Sequence, residues 1–65
     1  MIPENVIEVL QAIDNGRFSM FDRARVLSVA DVLDEQAADW LRDNPLSYVK
    51  ALEIARGRNM PESEE

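Results

Sequence analysis

Cysteine and histidine are both absent from this 65-residue chain. With them go disulfides, thiolate nucleophiles, zinc fingers, Ser-His and Cys-His catalysis and histidine pH switches. Glycine occurs twice and proline three times, few enough for each to act as punctuation between elements. Apolar runs never exceed pairs such as Val6-Ile7 or Val9-Leu10, far short of the roughly 20 residues a membrane-spanning helix needs. The start, Met1-Ile2-Pro3-Glu4-Asn5, lacks the basic and apolar regions of a signal peptide, so the expectation is a cytoplasmic protein. Positive charge is scarce too. Seven Lys and Arg stand against thirteen Asp and Glu, a formal net charge of -6. Such a surface repels a phosphate backbone, and direct nucleic-acid binding is not expected.

What is present fits one small folded domain. Hydrophobic residues make up 46% of the chain and charged residues 31%, outside the disordered range. A domain this short buries only about 60% of the surface its unfolded chain exposes, which leaves a narrow stability margin.

Periodicity predicts an all-α fold, a small bundle of three or four short helices. Ile2, Val6, Val9, Leu10 and Ile13 make one stripe on a first helix from about Pro3 to Asp14, and Asn15-Gly16 stops it. A second helix is expected to open at Ser19, with Ser19 and Asp22 forming a capping box. Its broad apolar face, Phe21, Ala24, Val26, Val29, Ala30 and Leu33, suits more than one neighbour. From Asp34 two readings fit, because Leu33, Ala37, Trp40 and Leu41 also hold one stripe on a second helix that bends and continues. A straight helix to Asp43 would be long for so small a domain, so a break near Asp34 is preferred. A third helix then carries Ala37, Trp40 and Leu41. Asn44 and Pro45 open a last helix with Tyr48, Val49, Leu52 and Ala55 on one face, and Gly57 closes it. The expected core is Val6, Leu10, Ile13, Phe21, Val26, Val29, Leu33, Trp40, Leu41, Tyr48, Val49 and Leu52. Residues 1–57 form the domain and 58–65 an acidic tail.

Gly16, the run Met20-Phe21-Asp22, Val26, Val29-Ala30, Trp40-Leu41, Tyr48 and Gly57 together resemble a family of short proteins of unknown function carried mostly by bacteriophages and mobile elements. That family's pattern is a glycine, an Asn-Met-Phe-Asp block opening a helix, a Val…Ile-Ala pair, and a tyrosine in a last helix that ends at glycine. The likeness covers roughly Val9 to Gly57. Ser19 stands in place of the asparagine and keeps its capping role. Val29 stands in place of the isoleucine, and Asp31 to Ala38 departs from the pattern. The resemblance implies a phage or prophage origin and a compact helical fold, and no activity.

Candidate sites follow from the residue types. Asp31, Asp34 and Glu35, and separately Asp39 and Asp43, can share helix faces, but no calcium-loop pattern accompanies them and they read as a solvated acidic face. Four serines lack a histidine partner and no glycine-rich phosphate loop exists. Neither catalytic nor metal-ligating residues are expected, nor a cofactor. Arg17, Phe18, Ser19 and Arg23 surround the expected start of the second helix, where N–H groups and guanidinium groups suit an anion. The plainer reading there is a capped helix start with Phe18 and Phe21 in the core. Trp40 and Tyr48 belong in the core by default and become partner anchors if exposed. The expected function is non-enzymatic: a phage- or prophage-type module that binds a host or phage protein, with homo-oligomers a further expectation. Two alternatives are sequestration of a nucleotide or similar anion at the second helix start, and an acidic mimic of DNA.

Overall fold

A computed structural model describes residues 1–14, 17 and 19–59. Four helices follow one another: α1 Glu4–Ile13, α2 Arg23–Leu33, α3 Glu35–Asp43 and α4 Tyr48–Asn59, with a 3₁₀ turn at Pro45–Ser47 leading into α4. Among the described residues there is no strand, and no helix is long and apolar enough to cross a membrane. The chain is an all-α bundle, as its periodicity predicts.

α1 is the hub. It packs on α2, α3 and α4, while α2 and α3 also pair with each other. That position explains why α1 buries five residues, Val6, Ile7, Val9, Leu10 and Ile13, against three for α2. Pro3, extended at φ -63° and ψ 148°, leads into α1, and its carbonyl accepts the Val6 and Ile7 N–H groups. Glu4 in the first turn meets the positive end of the helix dipole. The expected stop at Asn15-Gly16 lies outside the described residues.

The break at Asp34 is real, and one residue makes it. The Asp34 N–H closes α2 on the Ala30 carbonyl at 2.7 Å. Its carboxylate opens α3 by accepting the N–H groups of Gln36 at 3.1 Å and Ala37 at 3.3 Å. The other carboxylate oxygen accepts from the Asn5 side chain at 3.3 Å, tying the corner to α1.

Four details depart from the sequence expectation. α2 begins after Asp22 rather than at Ser19. Asn44 does not cap α4: its side-chain N–H donates to the Trp40 carbonyl at 2.8 Å and finishes α3 instead. Gly57 does not end α4, which continues to Asn59; a Cβ at Gly57 would meet nothing within 4 Å, so the position is ordinary helix. The core also differs. Ile7, Met20, Ala30, Ala37, Ala38, Ala51 and Ala55 are buried, whereas Phe21, Leu33 and Val49 are exposed and Val29 and Trp40 are only partly covered. On α4 the buried set is Tyr48, Ala51, Leu52 and Ala55, so the inward stripe passes through the two alanines and Val49 lies outside it. Small side chains there let α4 and α1 approach closely. Residues 60–65, most of the expected acidic tail, lie outside the described residues.

Candidate functional site

The segment between α1 and α2, with the first residue of α2, carries four of the six candidate residues, Arg17, Phe18, Ser19 and Arg23. Ser19 forms a turn rather than a helix cap: its hydroxyl accepts the Phe21 N–H at 3.1 Å and its carbonyl accepts the Asp22 N–H at 3.1 Å. The helix cap is Asp22, whose carboxylate accepts the Arg25 N–H at 3.3 Å. A turn sends neighbouring side chains in opposite directions. Met20 enters the core, 1% exposed, and Phe21 points out, 67% exposed.

α4 holds this turn directly, and the flanks of the turn are tied to its neighbours through Asp14 and Arg23. From α4, the Tyr48 hydroxyl donates to the Met20 carbonyl, a buried bond across 28 residues of sequence. Also from α4, the Arg56 guanidinium carbon lies 5.5 Å from the centre of the Phe21 ring, a cation–π contact of about 0.5–1 kcal/mol at an exposed site. Arg56 is itself fixed by donating from Nε to the Asp14 carboxylate at 3.0 Å, just past α1. From the α2 side, Arg23 donates from Nη2 to the Leu41 carbonyl at 2.9 Å, in the last turn of α3. The Arg23 Nε is buried and has no hydrogen-bond partner. Burial pushes the Tyr48 phenol above its ordinary value of 10.0; the nearby charges of Arg23 and Arg56 pull against this, and Asp14 and Asp22 add to it.

Tyr48 is therefore a core residue. Arg23 and Tyr48 sit around one turn, but the Arg23 guanidinium reaches toward α3 rather than toward the start of α2. Trp40 is half-buried against the core, and its carbonyl accepts from the Asn44 backbone at 3.0 Å and the Asn44 side chain at 2.8 Å. Arg17 is exposed and engaged in an interaction. Phe18 lies outside the described residues.

A second surface stands at the α2–α3 corner. Val32 is 85% exposed, and Leu33, although seven residues after the buried Val26, is exposed in the last residue of α2. Around them are Asp31, Asp34, Glu35 and Asp39. Arg42 gathers two of these, pairing with Asp31 and, at 3.2 Å, with Asp39. Its hydrogen bond holds the Asp31 carboxyl below the usual value. Among the described residues no group of three or more acids is placed to hold a metal ion. Leu46 and Val49 add two more exposed aliphatics where the chain enters α4.

Sequence reasoning passed over Phe21, Val32, Leu33, Leu46, Val49 and Arg56 as surface residues. The available signal was that Asp22 is itself a preferred cap residue and competes with Ser19 for the helix start, which moves the cap and turns Phe21 outward. No protein-family model matches this chain, and no curated protein and no solved structure matches it either.

Proposed function

We propose that the protein is a non-enzymatic interaction module of phage or prophage type that binds a host or phage protein. The observation that carries this reading is the placement of large apolar side chains on the outside of a chain with so few of them: Phe21, Val32, Leu33, Leu46 and Val49 are all exposed. A soluble domain scatters single apolar residues over its surface without consequence, but exposing these costs a 65-residue protein core it needs. Phe21 in particular is displayed by a turn that Tyr48 and Arg56 of α4 hold in place. An aromatic ring on a fixed mount loses little entropy on docking and suits an interface anchor. Cytoplasmic residence and the absence of direct nucleic-acid contact complete the reading. Protein immobilised and exposed to lysate of an infected bacterial host should retain a defined partner, and Phe21→Ala or Val32→Asp should release it without changing the helical circular dichroism. Equal capture by parent and both variants, or no capture even at low salt, would overturn the proposal.

A second reading is sequestration of a nucleotide or similar anion near Arg17 and Arg23. It draws on the buried Arg23 Nε, which has no hydrogen-bond partner. Nucleotides should then raise the melting temperature and Arg17→Ala should remove the rise; no thermal shift ends this reading.

A further inference from the structure

Three of the four helices carry charges suited to their ends. Glu4 opens α1, Glu35 opens α3, Arg42 closes α3, and Arg56 and Arg58 close α4. α2 is built the other way round. Arg23 and Arg25 stand in its first turn and Asp31 in its last, with the Asp22 cap as the acid at its start and no base in its last turn. Helix dipoles favour acids at the start and bases at the end, so this order works against α2 itself. Pairing with Asp22 and Arg42 relieves it in part. The sign still splits along the helix: residues 17–25 hold three arginines and one aspartate, and the corner holds Asp31, Asp34, Glu35 and Asp39 against Arg42. Each end also shows apolar surface, Phe21 beside the start of α2 and Val32 with Leu33 at its finish. The 11 residues of α2 set the two ends about 16 Å apart.

We propose that the occupant of these surfaces is a second copy of this chain, docked head to tail, with the Phe21 end of one molecule against the Val32–Leu33 corner of the next. Each end complements the other and repels its own kind, because two Phe21 ends would juxtapose arginines and two corners would juxtapose acids. Like ends therefore do not meet: head meets corner, either once in an open chain or twice in a two-fold antiparallel pair. The net charge of -6 opposes any association. At physiological salt, however, fields fade over about 8 Å, which is shorter than α2. Each end then senses the surface facing it far more than the remote remainder of the neighbour. This self-contact uses the same Phe21 and Val32 surface assigned above to a host or phage protein, so the two compete for it; the mass of the purified protein reads the first, and capture from lysate reads the second.

Sedimentation equilibrium of untagged protein tests it. The parent's average mass should climb with concentration from its 7.4 kDa monomer value. Phe21→Glu spoils only the head, and Val32→Lys spoils only the corner. Each variant alone should stay monomeric, yet an equimolar mixture should form a heterodimer, since one supplies an intact corner and the other an intact head. Arg25→Glu mixed with Glu35→Lys, both at exposed positions, should repeat the pattern and guards against a misfolded variant in the first pair. A parent that remains monomeric at millimolar concentration, or mixtures of both pairs no more associated than their components, would overturn the proposal.

Discussion

The turn at Ser19–Asp22 and the corner at Asp34 are both short connections, yet they are stabilised in different ways. The turn is held from outside, by Tyr48 and Arg56 of α4, with Arg23 tying the following helix start to α3; its own residues supply two local hydrogen bonds. The corner is held mainly from within, by one aspartate that ends one helix and begins the next, with a single outside contact from Asn5. A turn secured by distant residues forms only when the whole chain has folded. A corner secured by its own cap can form as soon as its two helices do.

Substitutions separate the two designs. The largest effect belongs to Met20→Ala, which empties a fully buried site beneath the turn; a loss of about 2–5 kcal/mol is expected, enough to leave much of so small a domain unfolded in a urea titration. Tyr48→Phe should cost about 1 kcal/mol by removing the bond to the Met20 carbonyl, read as a fall in melting temperature of about 4–8 °C. It should also change the alkaline response. The Tyr48 phenol ionises above its ordinary value in the fold, so its contribution is whole below pH 10.0 and drains away as pH rises beyond that. The phenylalanine variant should lose this part of the decline. At the corner, Asp34→Ala should cost about 0.5–2 kcal/mol by uncapping α3, with Asp34→Asn or Asp34→Ser recovering most of it. Val32→Thr should shift stability by less than about 0.5 kcal/mol, because its side chain is exposed. If Val32→Thr proves as costly as Asp34→Ala, the corner is packed and not merely capped.

The smallest effect is acid sensitivity. Asp31 beside Arg42 and Glu4 beside Arg58 are held below their ordinary values of 3.8 and 4.5, chiefly by the hydrogen bond from each arginine. Their contribution is present above those values and lost as pH falls below them. Both carboxylates lie at the surface, so Arg42→Ala should flatten the acid limb of a stability curve only slightly, and added salt should do the same.

How much of this was legible in the sequence follows from the same contrast. α1 could be read because its signal is local, a 3.6-residue stripe. The break at Asp34 is only favoured by helix length, since Leu33, Ala37, Trp40 and Leu41 also fit one bent helix, and the structure settles it through the Asp34 cap. The turn could not be read, because what places it is Tyr48, 28 residues further on. Once that tether is unknown, Met20 and Phe21 look equally suited to the core, and the wrong one was chosen. The core of α4 was misread for a related reason. Val49 is the more hydrophobic residue, but the direction of the inward face is set by α1, and Ala51 fits the narrow space there. The candidate surfaces were least legible, since a side chain left outside for want of a neighbour carries no local mark: Leu33 stands on the stripe of Val26 and is exposed only because α2 ends there.

The pairing of Glu4 with Arg58, together with the reach of Asn5 to Asp34, has a practical consequence. The start of α1 is thereby engaged with both the last turn of α4 and the α2–α3 corner, so a purification handle joined ahead of it can disturb these contacts. A chain without native thiols offers a way round this. One engineered cysteine at the exposed Lys50 position would give a single, chosen point for labelling or surface attachment, and leave both ends of the polypeptide unmodified.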